Sequence, residues 1–221
     1  MPEHRLAEVR EPFSVRLRAE TAVRHRQAES EPFVLDLLAG RLPLSAYALL
    51  AAQHWFVYEA LERIADEHGA DPLLAPFLAL GLRRLPRLQD DLVHLVGPDW
   101  SERIAPLPAT RRYVERIQTV AATSAPAFLA HHYTRYLGDL AGGQAVAASL
   151  RRTYGLPDSG GTAFYDFAEV GAPPAVRARY RAHLDVAPLD GQAQETVVEE
   201  ARIAFGCNTA MFADLAAAPR E

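Results

Sequence analysis

The stretch "PLSAYALLAAQHWFVYEALERIADEHG" constrains the fold more than any other part of the chain. Its apolar residues Leu44, Tyr47, Ala48, Ala51, Trp55, Tyr58 and Leu61 recur at intervals of three and four, which puts them on one face of a helix that closes on Gly69. The same spacing predicts helices over 13–28, 73–80, 82–96, 108–122, 126–154, 174–185 and 192–215. Pro and Gly cluster between them, at "GADP", "GPDW", "PLP", "GLPDSGG" and "GAPP". No segment alternates apolar and polar residues between hairpin turns, so no sheet is expected. Long polar linkers, low-complexity tracts and solenoid repeats are also missing. The 221 residues therefore predict a single all-α domain over 1–221, with about 1–10 and 216–221 as flexible ends. The late segment "GLPDSGGTAFYDFAEVGAPP", rich in Gly and Phe, is expected to lie against something flat.

Composition narrows the functional classes. A net charge of −5 argues against a general nucleic-acid binder, which needs a net basic surface. All 23 basic residues are arginine, so any anion site here uses guanidinium. The single cysteine, Cys207, excludes an internal disulfide and a cysteine-rich metal site, and fits a reducing cytosol. "MPEHRLAEVREPF" has no apolar signal core, and no run of about 18 uncharged apolar residues occurs. A cytoplasmic protein with no membrane and no nucleic-acid partner is expected.

Two stretches carry chemistry. "YTRYLGDLAGGQ", Tyr133 to Gln144, reads as the middle of a helix yet holds three glycines. Each interior Gly costs roughly 0.8–1 kcal/mol relative to Ala, so the trio gives up about 3 kcal/mol of helix propensity. Gly138 and Gly142 are four apart and share a face, with Gly143 beside them, and Arg135 and Asp139 are four apart on an adjacent face. Such a bare stripe admits either a second helix at close approach or a planar ligand. In "ETAVRHRQAES", residues 20–30, His25 and Glu29 are also four apart. A carboxylate at that spacing can accept the second imidazole N–H, as in a surface pair or behind a metal-ligating histidine.

Together the two stretches resemble the heme oxygenase family: "YTRYLGDLAGGQ" looks like its distal-helix signature, and "RHRQAE" stands where its proximal-helix motif lies. The resemblance continues through "HWFVYEALE", "PATRRYVERI", "GTAFYDF", "RARYRAHLD" and "EEARIAFGCNTAMF", nearly the whole chain in order. It implies a heme-oxygenase-like helical fold with haem, at once cofactor and substrate, between a proximal helix and a kinked distal helix. By similarity, His25 is the proximal ligand of the iron and Glu29 its orienter. Gly138 and Gly142 leave room for iron-bound O₂, with Gly143 beside them. Asp139 anchors a distal water chain that protonates a ferric-hydroperoxo group, and Tyr58 and Arg135 extend that chain. Arg18, Arg177, Arg181 and Tyr133 match propionate contacts, while Phe205, Asn208 and Phe212 match the pocket wall and distal region. Arg18 and Arg177 stand where mammalian relatives commonly carry lysine, and the chain ends at "LAAAPRE" where those relatives continue into a membrane anchor.

The implied reaction is O₂- and electron-dependent cleavage of haem at a meso carbon, the α carbon by the arginine positions, to biliverdin, CO and Fe²⁺. Implied partners are an electron donor, either a ferredoxin or a flavoprotein reductase, and a biliverdin-accepting photoreceptor. The alternative is a non-catalytic haem-binding or trafficking protein on the same fold, which has little reason to keep Asp139 and the glycines. A di-iron enzyme on this fold would need two Glu-x-x-His motifs, and "DLVH" at 91–94 is the nearest approach. A thiaminase-type enzyme would have only Cys207 as nucleophile.

Overall fold

The computed structural model describes residues 11–158 and 160–219. Among them are ten α-helices, one 3₁₀ turn and no strand. The helices are α1 (Phe13–Glu29), α2 (Pro32–Leu38), α3 (Leu44–Glu67), α4 (Ala75–Leu78), α5 (Leu85–Leu95), α6 (Trp100–Arg103), α7 (Pro108–Ala121), α8 (Ala125–Tyr154), α9 (Pro173–Val186) and α10 (Gly191–Ala217). The 3₁₀ turn, Ala163–Tyr165, lies between α8 and α9. Every helix expected from periodicity is present, although 73–80 contracts to the four residues of α4. The unexpected α2 and α6 are seven and four residues long, too short to show a period. Pro32 opens α2 at a position where its fixed φ suits a first turn and its missing N–H costs nothing. α10 runs through Ala217, two residues into the expected flexible end; residues 1–10, 220 and 221 lie outside the described residues.

α8 is the axis of the molecule. The Ser124 hydroxyl caps it by accepting the Ala127 N–H at 3.2 Å, and Gly155 ends it at φ 65°, a left-handed conformation that glycine adopts without strain. From Ala127 to Leu137 every residue is buried, because α10, α7, α9, α3 and α2 all pack against this helix. Most buried apolar side chains of the described residues form one contiguous cluster, with a small satellite of Ala51, Ala52, Leu92 and Trp100.

α1 is held differently. Its buried residues, Phe13, Ser14, Leu17, Thr21 and Ala28, make only a narrow stripe against α10 and α9. Polar clamps supplement that stripe. Asp185 of α9 accepts the Ser14 N–H at 2.8 Å and its hydroxyl at 3.1 Å, satisfying a first-turn donor with a negative charge. Arg202 of α10 donates to the Glu20 carboxylate at 2.8 Å.

The aromatic segment after α8 meets protein. Asp91 of α5 accepts the Ala163 and Phe164 amides at 2.7 and 2.8 Å, and burial pushes its carboxyl up to about 6 despite those two bonds. Fully buried Arg84 stacks over the Phe167 ring at 4.0 Å and donates to the Leu82 carbonyl at 3.0 Å. Phe164 and Phe167 are thereby packed into the core, and the flat surface they face is other side chains.

Glu200 joins three helices. It accepts Arg116 of α7 through Nε at 2.8 Å and through Nη2, and His131 of α8 through Nε2 at 2.8 Å. Burial alone would raise this carboxyl, but the hydrogen bonds from Arg116 and His131 outweigh it and hold Glu200 at about 2, below its ordinary 4.5. A folded pKa below the unfolded one means that the stabilisation is fully present above about pH 4.5 and is lost as pH falls toward about 2. The whole difference is equivalent to about 3 kcal/mol, and solvent around Arg116, 40 % exposed, screens part of it. Glu200→Gln is therefore expected to cost about 2 kcal/mol near neutrality. In urea titrations the gap to wild type should close between about pH 4.5 and 2. A gap independent of pH would show that the carboxylate charge is not what joins these helices.

Candidate functional site

Between α1 and α8 runs a cleft with two lobes of about 290 and about 190 Å³. His25, Thr134, Gly138 and Phe205 line both, so the lobes are continuous there. The combined space is of the size that takes a small organic ligand.

One wall is His25. The four-residue spacing on α1 brings Glu29 Oε2 to 3.1 Å from His25 Nδ1. Glu29, which can only accept, thus stands beside the Nδ1 edge of the ring. Phe205 of α10 meets the imidazole edge-on, with ring centroids 5.4 Å apart and planes at 75°. The imidazole is thus oriented from two sides yet remains 41 % exposed at the cleft.

The opposite wall is α8, which stays helical through all three glycines. A Cβ added at Gly138 or Gly142 would meet nothing within 4 Å, so these two positions are bare and open to the cleft. At Gly143 a Cβ would come within 3.0 Å of Tyr165 Cδ1. Gly143 lines the smaller lobe, but its missing side chain is used by Tyr165.

Beside the bare face lies a polar cluster. Tyr58 of α3, fully buried behind the cleft, donates to Asp139 Oδ2. Arg135 Nη2 stands 3.8 Å from Asp139 Oδ1, and Nη1 donates to Asn208 Oδ1 of α10 at 3.0 Å. The Arg135 guanidinium also lies over the Tyr58 ring, 5.2 Å from its centroid. Burial raises the Asp139 carboxyl above its ordinary range, against the opposing pull of Arg135 and of the Tyr58 hydrogen bond. Arg135 Nε and Nη2 and the Tyr113 hydroxyl are buried with no hydrogen-bond partner. Donors left in this way are ordinarily satisfied by ordered water.

The lobes differ electrically. Arg18, Arg26, Arg181 and Tyr133 line the larger one, with no carboxylate among its described lining residues. The smaller lobe is walled largely by apolar side chains, among them Leu50, Val146 and Phe212, with Asp139 and Arg135 at one side. Arg177, expected with Arg18 and Arg181, instead donates to the Leu140 carbonyl at 2.6 Å and is not among the lining residues. Sequence reasoning left out Arg26, Thr134, Tyr165 and His54 as wall residues. His54 and Tyr58 are four apart on α3, so the helical face that carries Tyr58 is the signal that would have found it.

The heme oxygenase family profile matches residues 11–214. Heme oxygenase 1 of Nostoc sp. is 38 % identical over 200 residues, which are 90 % of this chain and 84 % of that protein. The chain belongs to the heme oxygenase family. The family's Pyropia yezoensis member is 39 % identical over 199 residues, 90 % of this chain and 84 % of its own length. Among solved heme oxygenase structures, heme oxygenase-1 of the cyanobacterium Synechocystis in complex with heme superposes with a TM-score of 0.88 at 35 % identity, covering 93 % of this chain and 92 % of that one. The Leptospira interrogans heme oxygenase gives 0.85 at 29 % identity, over 91 % of this chain and 98 % of that one. The family, the all-α fold and the enzyme class expected from the sequence are borne out. Among the described residues no helix is long and apolar enough to cross a membrane.

The difference between the glycines is measurable without ligand. Gly142→Ala should raise the unfolding free energy of the haem-free protein by roughly 0.8–1 kcal/mol, the ordinary gain of Ala over Gly, because the new methyl meets nothing. Gly143→Ala should fall short of that gain or reverse it, since Tyr165 must move. In chemical denaturation, no gain at Gly142→Ala would mean that the α8 face is not open there, and an equal gain at Gly143→Ala that Tyr165 does not fill the space beside Gly143.

Proposed function

We propose that this protein binds haem in the α1–α8 cleft and cleaves it, with O₂ and reducing equivalents, to biliverdin, carbon monoxide and ferrous iron. The observation that carries this is a pair facing each other across one space: an imidazole held from behind by Glu29, and a helix face left bare at Gly138 and Gly142. The lobes also suit the ligand, offering cations to two carboxylates at one edge and apolar walls to a macrocycle. When bound, haem supplies both the iron at which O₂ is reduced and the ring that is oxidised.

The chain's own residues then have distinct tasks. His25 would hold the iron through its imidazole, with Glu29 orienting the ring and increasing its basicity. Gly138 and Gly142 keep the α8 face clear for a small molecule in the cleft, while Gly143 admits Tyr165 to the wall. Asp139, anchored by Tyr58, holds water with Arg135, and the buried donors without protein partners are the places where that water attaches. A carboxyl raised by burial can pass a proton nearer neutrality without placing a strong acid in the cleft. Arg18 and Arg181, with Tyr133, grip the propionates, and Arg177 reaches this edge only by leaving the Leu140 carbonyl. Guanidinium binds carboxylate as a fork, so these contacts fix in-plane rotation and select the α-meso carbon. Phe205, Asn208 and Phe212 complete the wall.

Residues 1–221 act as one domain in the cytoplasm, in keeping with a single cysteine in a reducing compartment. A ferredoxin or flavoprotein reductase supplies the electrons, and a biliverdin-binding photoreceptor takes the product.

The direct test is aerobic turnover of the one-to-one hemin complex with a reductase system, followed by chromatography of the product. Loss of the Soret band with appearance of the α isomer of biliverdin is expected; a haem spectrum that persists under air and reductant leaves a haem carrier and removes the catalytic assignment. Two variants separate binding from proton supply. His25→Ala should lose the axial-imidazole signature of bound haem, and an unchanged spectrum would transfer ligation to another histidine. Asp139→Ala should still take up hemin but yield biliverdin about a hundredfold more slowly or worse; undiminished turnover removes its role.

A further inference from the structure

The smaller lobe contains one ionisable side chain that the reaction above leaves unused. His54 lines it together with Arg135, Asp139, Gly138 and Gly142, and is 5 % exposed. Its imidazole lies against Phe164, centroids 5.1 Å apart, and neither ring nitrogen has a hydrogen-bond partner among the described residues. Each of the two other deeply buried histidines has one partnered nitrogen, His131 Nε2 on Glu200 and His132 Nδ1 on the Tyr180 hydroxyl at 2.9 Å, while His131 Nδ1 is enclosed without a partner. Neither His54 nitrogen is among the fully enclosed polar atoms that lack a partner, so the ring, which lines the lobe, can be bonded from the cavity. Leu50, one turn before His54 and also on the lobe wall, shows how readily an apolar side chain fits that surface.

We infer that His54 is a second hydrogen-bonding group of this lobe, donating to the small oxygen-bearing molecule, water or diatomic, that sits over the Gly138–Gly142 face. The inference rests on the haem assignment for the cleft. Burial foremost, and then the Arg135 charge, keep the imidazole well below its ordinary pKa, so at neutral pH it is neutral, with one N–H and one lone pair. A neutral ring can orient a ligand by its N–H without serving as a strong acid. Asp139 therefore holds water at one side of the lobe while His54 acts from another element, α3, and the two together set the direction in which a diatomic leans. This makes His54 a specificity-determining residue. The polarity and hydrogen-bond donors of a distal pocket decide how a bound diatomic behaves.

Infrared spectra of the ferrous carbon monoxide complex test this, in wild type, His54→Leu and His54→Gln. A donor to the ligand oxygen weakens the C–O bond, so the leucine variant should move the C–O stretch to higher frequency and release carbon monoxide severalfold faster. The glutamine variant, which keeps an N–H donor, should stay near wild type. An unchanged frequency in His54→Leu overturns the inference, and so does an equal shift in both variants, which would mark loss of imidazole shape and not of a donor. His54→Met serves as the apolar variant if His54→Leu does not fold. Hemin uptake by Soret titration is read first. A wild type that takes up no hemin overturns the haem assignment together with this inference, whereas normal uptake with an unmoved C–O stretch overturns His54 alone.

Discussion

The buried contact between Tyr58 and the Asp139 carboxylate is what the remainder of the cleft depends on. It links α3 to α8 at the level of the bare glycine face, and through Arg135 and Asn208 the link extends to α10. A carboxylate set mostly among protein groups would be unfavourable alone; the Tyr58 hydroxyl and the Arg135 charge make it tolerable without fully offsetting the burial. The residual upward shift is the useful part. Asp139 is positioned by a rigid donor, stands one residue from Gly138, and titrates closer to neutrality than an exposed aspartate.

The opposite wall is built on another principle. α8 is buried on all sides along much of its length, whereas α1 has a narrow apolar stripe and is clamped at its edges by Asp185 and Arg202. Edge clamps leave the cleft-facing side of α1 uncovered. His25 can therefore stand against Glu29 and Phe205 and still line the space between the helices. Had α1 been packed face to face on α8, the same residues would have closed the cleft.

The glycines show how propensity and packing divide the work within one stretch. About 3 kcal/mol of helix propensity is given up across Gly138, Gly142 and Gly143. Only Gly143 recovers part of it through protein contact, with Tyr165; Gly138 and Gly142 face open space. Close helix packing, the ordinary reason for such a stripe, thus does not account for those two.

The sequence by itself determined the helices and the local pairs. Period, capping and four-residue spacing are short-range properties, so α3, α7, α8 and α10, the His25–Glu29 contact and the shared face of Gly138 and Gly142 were all legible along the chain. Whatever requires two distant segments to meet was decided only by the tertiary structure. The Tyr58–Asp139 bond, the stacking of Arg84 over Phe167, the turning of Arg177 to the Leu140 carbonyl and the packing of His54 against Phe164 all join residues from different elements. Their geometry follows from how the helices pack around α8, because a side chain's partners are set by distance in space, and spacing along a helix encodes that distance only within a turn or two.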